Sequence, residues 1–112
     1  MDALIHISLI HFVIVSILLA SAGVGTILTK RNAIGILIGV ELILNASALN
    51  LVAFARFHPW APQGGPALDG VMFTVFVIVL AAAEAAIALG IFLNLYNTLG
   101  TVDVEKAQAM KG

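Results

Sequence analysis

Three apolar runs, none interrupted by proline, occupy most of this sequence: Ala3 to Thr29, Asn32 to Phe54 and Gly70 to Tyr96. Each exceeds the roughly 20 residues a helix needs to cross a hydrocarbon core of about 30 Å. In lipid the backbone N–H and C=O groups must be satisfied within the segment, so runs of this kind predict transmembrane helices. The surface arithmetic agrees: only 10% of the residues are charged, against about 25% in a soluble domain. All three prolines (Pro59, Pro62, Pro66) gather with Gly64 and Gly65 between Arg56 and Asp69, which marks residues 55–69 as the one substantial loop. The other connection is Thr29-Lys30-Arg31-Asn32, short enough to make the first two helices antiparallel neighbours. Residues 97–112 form a polar tail of mixed charge at the membrane surface. The reading is an all-α integral membrane protein, one multi-pass domain over residues 1–112 with helices at about 3–29, 32–54 and 70–96.

Several other classes drop out. The chain has no cysteine, so disulfides, iron–sulfur clusters and thiolate zinc sites are excluded. A formal net charge of −1, with no basic cluster beyond a pair, points away from nucleic acid. Ala20-Ser21-Ala22 resembles a signal-peptidase site, but only Asp2 precedes the apolar stretch where a signal peptide carries a basic region. His6 and His11 are five residues apart, about 140° around a helix, so they do not form a joint metal site. His58 falls in the loop, and no second span offers a histidine for paired haem ligation. Gly23-Val24-Gly25 lies within an apolar span with no strand before it, which makes it helix packing rather than a phosphate loop.

Orientation follows from the basic residues. Lys30 and Arg31 lie in the first loop, Lys106 and Lys111 in the tail, and Arg56 alone in the second loop. Three spans put the first loop and the tail on one side, so the N-terminus is expected outside and the C-terminus in the cytoplasm. Phe57, Trp60 and Tyr96 occupy the span ends where interfacial aromatics gather.

Two residues stand out against this background. Glu41 is ten residues past Arg31, about 15 Å into the membrane. Glu84 is fourteen residues past Gly70 and twelve before Tyr96, again near the midplane. An ionised carboxylate there costs at least ~2.5–3.5 kcal/mol, and no basic residue of the chain lies within a span to offset it. The two carboxyls are therefore either protonated, or face hydrated cavities and groups on another chain. Both conditions suit groups that take up and release protons, and two such residues at matched depth favour a proton relay over mere hydrogen-bonding glue. Glu84 sits in Ala81-Ala82-Ala83-Glu84-Ala85-Ala86, where small side chains admit a neighbouring helix or water. Glu41 follows Gly35-x-x-x-Gly39, a small-residue packing stripe, and Asn45 is one turn further on the same face. Ser47 and Asn50 add mid-membrane polar groups that need hydrogen-bond partners, with structural glue the expected role. Three helices cannot enclose a water path and keep both glutamates off lipid, so the chain is expected to be one subunit of a larger assembly.

Arg31-Asn32, the segment Gly39-Val40-Glu41-Leu42-Ile43-Leu44-Asn45-Ala46 and the later Ala81-Ala82-Ala83-Glu84-Ala85-Ala86-Ile87-Ala88-Leu89 closely resemble the K-type subunits of the proton-pumping NADH:quinone oxidoreductase, respiratory complex I. The likeness covers roughly Thr29 to Asn97. The resemblance implies a subunit of the membrane arm, next to antiporter-like subunits, in a bacterial cell inner membrane. It implies that Glu41 and Glu84 belong to an axis of protonatable residues coupling quinone reduction to proton translocation, with Asn45 in support. It gives Lys30, Arg31 and Asn32 a contact role with neighbouring subunits. It also places NADH, FMN, iron–sulfur clusters and quinone on partner subunits, with no cofactor in this chain.

Other readings stay open at this point. A C-type subunit of a multi-subunit Na⁺/H⁺ antiporter shares the three-helix plan, but in that family the second-helix glutamate is usually absent. A small multidrug exporter has a similar length and a membrane glutamate, but needs four spans and carries that residue in its first helix. A non-catalytic assembly scaffold is the third alternative, and one that would tolerate glutamine at both positions.

Overall fold

A computed structural model describes residues 7–57, 68–100 and 102–109. Among the described residues there are four helices: α1 Leu9–Thr29, α2 Ala33–Phe57, α3 Leu68–Leu99 and the short α4 Val104–Ala109. The first three are each long and apolar enough to cross a membrane. Expectations for residues 3–6, for His6, for most of the outer loop with His58, Trp60 and the prolines, and for Lys111 lie outside the described residues.

The helix ends follow local chemistry. Ile7 and Ser8 are not helical; Ser8 is extended and serves as N-cap of α1. Its N–H donates to His11 Nδ1 at 3.1 Å, and its Oγ lies 3.0 Å from the same nitrogen. His11 is thereby part of a helix cap. Near the other end, Thr26 Oγ1 donates to the Ala22 carbonyl and Thr29 Oγ1 to the Gly25 carbonyl, each at 2.8 Å, so both hydroxyls are satisfied within their own helix. Asn32, expected as the first helical residue of the second span, instead caps it: its Oδ1 accepts from the Ile34 N–H at 2.8 Å.

Two helices run past their expected ends. α2 continues through Ala55, Arg56 and Phe57. The Phe57 ring packs on Phe12 of α1 at 5.8 Å between centroids, and Arg56 meets the partial negative charge of the last turn. α3 carries on through Asn97 and Thr98, whose Oγ1 donates to the Asn94 carbonyl at 2.9 Å. It stops at Gly100, which takes the left-handed conformation with φ +70°.

α2 is the middle of a row: it packs against both α1 and α3, while α1 and α3 scarcely meet. Its two working faces each repeat every seven residues. Gly39, Ala46 and Ala53 are buried along the α1 side. A Cβ on Gly39 would stand 2.7 Å from the Gly23 carbonyl oxygen and 2.6 Å from Ile27 Cγ1, so the two backbones approach as closely as glycine allows. Of the expected glycine pairs, only one member packs in each case. Gly25 faces open space, and Gly35 lies beneath the side chain of Lys30.

The second face of α2 runs through Ile34, Glu41, Ala48 and Ala55. At one end Ala55 touches Gly70 of α3. At the other, Ile34 lines an apolar groove of about 230 Å³ together with Leu89, Phe92, Leu93 and Tyr96 of α3. Both ends of this stripe thus meet α3. The complementary face of α3 carries buried Thr74 and Ala81, with Ala85, Ala88 and Phe92 half-buried beyond them.

Candidate functional site

The antiparallel pairing of α2 and α3 sets the depth of the two glutamates. Glu41 precedes Ala55 by fourteen residues, and Glu84 follows Gly70 by fourteen. Ala55 and Gly70 are in contact. Equal steps along paired helices bring both carboxyls to one level, about 21 Å from that contact. Their surroundings differ. Glu41 is half-buried and lies on the stripe whose two ends meet α3. Glu84 is exposed, one residue step from half-buried Ala85, and so lies on the flank of the seam rather than inside it. Among the described residues neither carboxylate makes an ion pair or hydrogen bond.

The remaining expected site residues divide into two groups. Asn45, one turn beyond Glu41, is exposed at the edge of the same stripe. Lys30, Arg31 and Asn32 lie about three turns from Glu41, at the N-terminal end of α2, where the structure joins them to the chain's own tail. The Ala33 N–H donates to the Val102 carbonyl at 3.1 Å and the Val104 N–H to the Arg31 carbonyl at 3.4 Å. Asn32 and Asp103 face each other as a single antiparallel bridge. Asp103 Oδ1 accepts from the Glu105 N–H at 2.9 Å, capping α4 as Asn32 caps α2. Arg31 lies 3.7 Å from Glu105, an exposed ion pair of little energetic weight.

Sequence reasoning did not find Asp103 and Glu105 as partners of the first loop. The available signal was Asp103-Val104-Glu105, a capping residue ahead of a helical turn. It also left unread the buried hydroxyls of Ser16 and Thr74, 2% and 3% exposed, which donate to their own helices at Val13 and Gly70. Ser47 does the same toward Ile43 at 3.1 Å, so within this chain its hydroxyl donates to its own helix. Asn50 places a buried Oδ1 with no hydrogen-bond partner.

Chemically, the arrangement offers a carboxyl held between two helices and a second one at the same level, open to whatever packs beside α3. Comparison with known proteins fits a chain of this plan. The family described as NADH-ubiquinone/plastoquinone oxidoreductase chain 4L matches residues 11–112. NADH-quinone oxidoreductase subunit K of Chlorobaculum parvum is 48% identical over 99% of both chains. Subunit K of Desulfitobacterium hafniense is 38% identical over 96% of this chain and 97% of its own. NAD(P)H-quinone oxidoreductase subunit 4L of Leptolyngbya boryana is 43% identical over 90% of this chain and 95% of its own. With matches spanning nearly its whole length, three helices long and apolar enough to cross a membrane and a glutamate within each of α2 and α3, the chain belongs to the family of K (4L) subunits of NADH-quinone oxidoreductase.

Proposed function

We propose that this chain is a membrane-arm subunit that couples quinone reduction to proton translocation, with Glu41 and Glu84 as relay groups. The observation that carries this reading is the placement of both carboxyls at one level of the α2–α3 pair, far from either end. Glu41, half-buried on the stripe of α2 that meets α3, exchanges protons with water or side chains reaching the seam, and Asn45 supplies a hydrogen-bonding group at its edge. Glu84 opens away from the subunit, where lipid would penalise its charge. Its natural neighbours are therefore polar groups of other membrane subunits, including antiporter-like ones. Quinone and the redox centres (NADH, FMN, iron–sulfur clusters) are handled on partner chains, consistent with a sequence that lacks cysteine. The first loop and the tail share one face through the Asn32–Asp103 bridge. Their basic residues favour a cytoplasmic position for that face, and kinship with bacterial K subunits favours the inner membrane of a bacterial cell.

Glu41→Gln keeps size and hydrogen bonding but cannot release a proton at neutral pH. The expected result is loss of NADH-driven proton uptake in membrane vesicles, with the complex still assembled on native gels. Near-normal uptake would instead fit a scaffold. Orientation is tested with single cysteines at Asp69 and Gln108 and an impermeant thiol reagent. Only position 69 labels from outside intact cells, and labelling at 108 from that side would invert the topology.

A further inference from the structure

α1 and α2 touch through glycine at one end and through phenylalanine at the other. Gly23 and Gly39 bring the two backbones together, whereas the far end is joined by the rings of Phe12 and Phe57. Beside that ring pair lies a groove of about 330 Å³. Ile7 and Phe12 line it from one side, and Leu49, Val52, Arg56 and Phe57 from α2. Leu49, Val52 and Arg56 are three and four residues apart, one stripe of the helix. Ile7 precedes the Ser8 cap of α1 and Phe57 is the last residue of α2. The groove therefore opens at the ends of two spans, where hydrocarbon gives way to headgroups. Its lining side chains are apolar except Arg56. The Arg56 guanidinium lies over the Phe57 ring, 6.0 Å from its centroid. Among the described residues the one ion pair, Arg31 with Glu105, belongs to the opposite end of α2. Asp69, the acid in the first turn of α3, makes no ion pair with Arg56.

We propose that this groove binds one anionic phospholipid, with an acyl chain along Phe12, Leu49 and Val52 and the phosphate on Arg56. A methylene takes up about as much room as a water, ~30 Å³, so the groove accepts a run of about ten. A cube of the same volume is about 7 Å on edge, narrower than a partner helix of about 10 Å with its side chains. Filling the groove gains contacts that a void forfeits. Lipid chains are as apolar as its walls, however, so the hydrophobic effect does not select the occupant. Selection lies in the charged end. A guanidinium presents a planar fork that bonds two phosphate oxygens, and a zwitterionic headgroup opposes that pairing with a cation of its own. Arg56 is fifteen residues from Glu41 along α2, about 22 Å, and the site does not depend on the relay reading.

The test uses the assembled complex in nanodiscs containing a photoreactive lipid, either phosphatidylglycerol or phosphatidylcholine. The two share their acyl chains, each with a diazirine partway along one chain, and differ only in headgroup. Crosslinked peptides are read by mass. The anionic lipid should label the segments around Phe12 and from Leu49 to Phe57 about tenfold more than the zwitterionic one, the order expected of a charge-assisted hydrogen bond. Arg56→Gln, a change at an exposed position, should lower anionic labelling to the zwitterionic level. Val52→Trp fills the groove from its rim and should suppress labelling by both lipids, with incorporation checked on native gels. Arg56→Gln decides the matter where that bulkier variant does not assemble. Equal labelling by the two lipids in the native complex would overturn the proposal, as would anionic labelling that Arg56→Gln leaves unchanged. Labelling that survives Val52→Trp in an assembled complex would put the chain outside the groove, against the proposal. Labelling by neither lipid would mean that another subunit covers the groove, and would overturn it equally.

Discussion

The two seams of α2 differ in where they are tight and in what they carry. Against α1, glycine meets glycine: Gly39 and Gly23 approach so closely that a Cβ on either would stand 2.7 Å from the other's carbonyl oxygen, and the Phe12–Phe57 ring pair pins the far end. Against α3, one glycine meets an alanine, Gly70 on Ala55, so closely that a Cβ on Gly70 would overlap it, and the same stripe of α2 carries Glu41. The first seam fixes two backbones through a shape only one register satisfies. The second is fixed at one end by Gly70 against Ala55 and carries an ionisable group further along. One seam is scaffold, and the other is where the proposed relay reading needs protonation to change without dismantling the fold.

The contrast can be broken most severely at the tight seam. Gly39→Leu would drive a branched side chain into the Gly23 carbonyl and Ile27, at an overpacking cost of typically 1–3 kcal/mol or more. The subunit should disappear from the assembled complex on native gels; normal incorporation would show that the close approach is dispensable. A finer cut uses one chemical change at two positions on α1. Gly23→Ala meets the Gly39 oxygen and Ile43, whereas Gly25→Ala meets nothing within 4 Å. Thermal dissociation of the subunit from the purified complex should move several degrees lower for the first, on the order of the shift expected from ~1 kcal/mol. It should stay unchanged or rise slightly for the second, where alanine stabilises a helix interior by about 0.5–1 kcal/mol. Equal shifts would erase the distinction between the faces.

Most of the architecture was legible in the sequence, for a physical reason. Hydropathy decides which segments cross a membrane, and proline and glycine mark where the chain turns. The helix ends were less legible. Phe57 stays helical because Phe12 is there to receive it, and Asn97 and Thr98 stay helical because nothing before Gly100 stops the chain. Glu41 and Glu84 announced themselves by charge in an apolar background. Their unequal placement, one between helices and one on an open flank, depends on which stripe of each helix meets its neighbour, and runs as apolar on all sides as these do not reveal it. The loop–tail bridge was invisible for a different reason. It joins residues about seventy positions apart through backbone atoms, which every residue carries alike.

The relay reading requires that Glu41 and Glu84 work as one unit across the α2–α3 seam. It is tested most directly by proton uptake in vesicles from Glu41→Gln, Glu84→Gln and the double variant, at matched assembly. Groups that interact titrate together, and their substitutions do not add. Glu84→Gln should be the milder single change, because its carboxyl lies on an exposed flank where water or a neighbouring group can stand in. The double variant should be no worse than Glu41→Gln alone. A double variant whose loss equals the product of the two single losses would contradict the claim, and a Glu84→Gln more damaging than Glu41→Gln would contradict the roles assigned to the two positions.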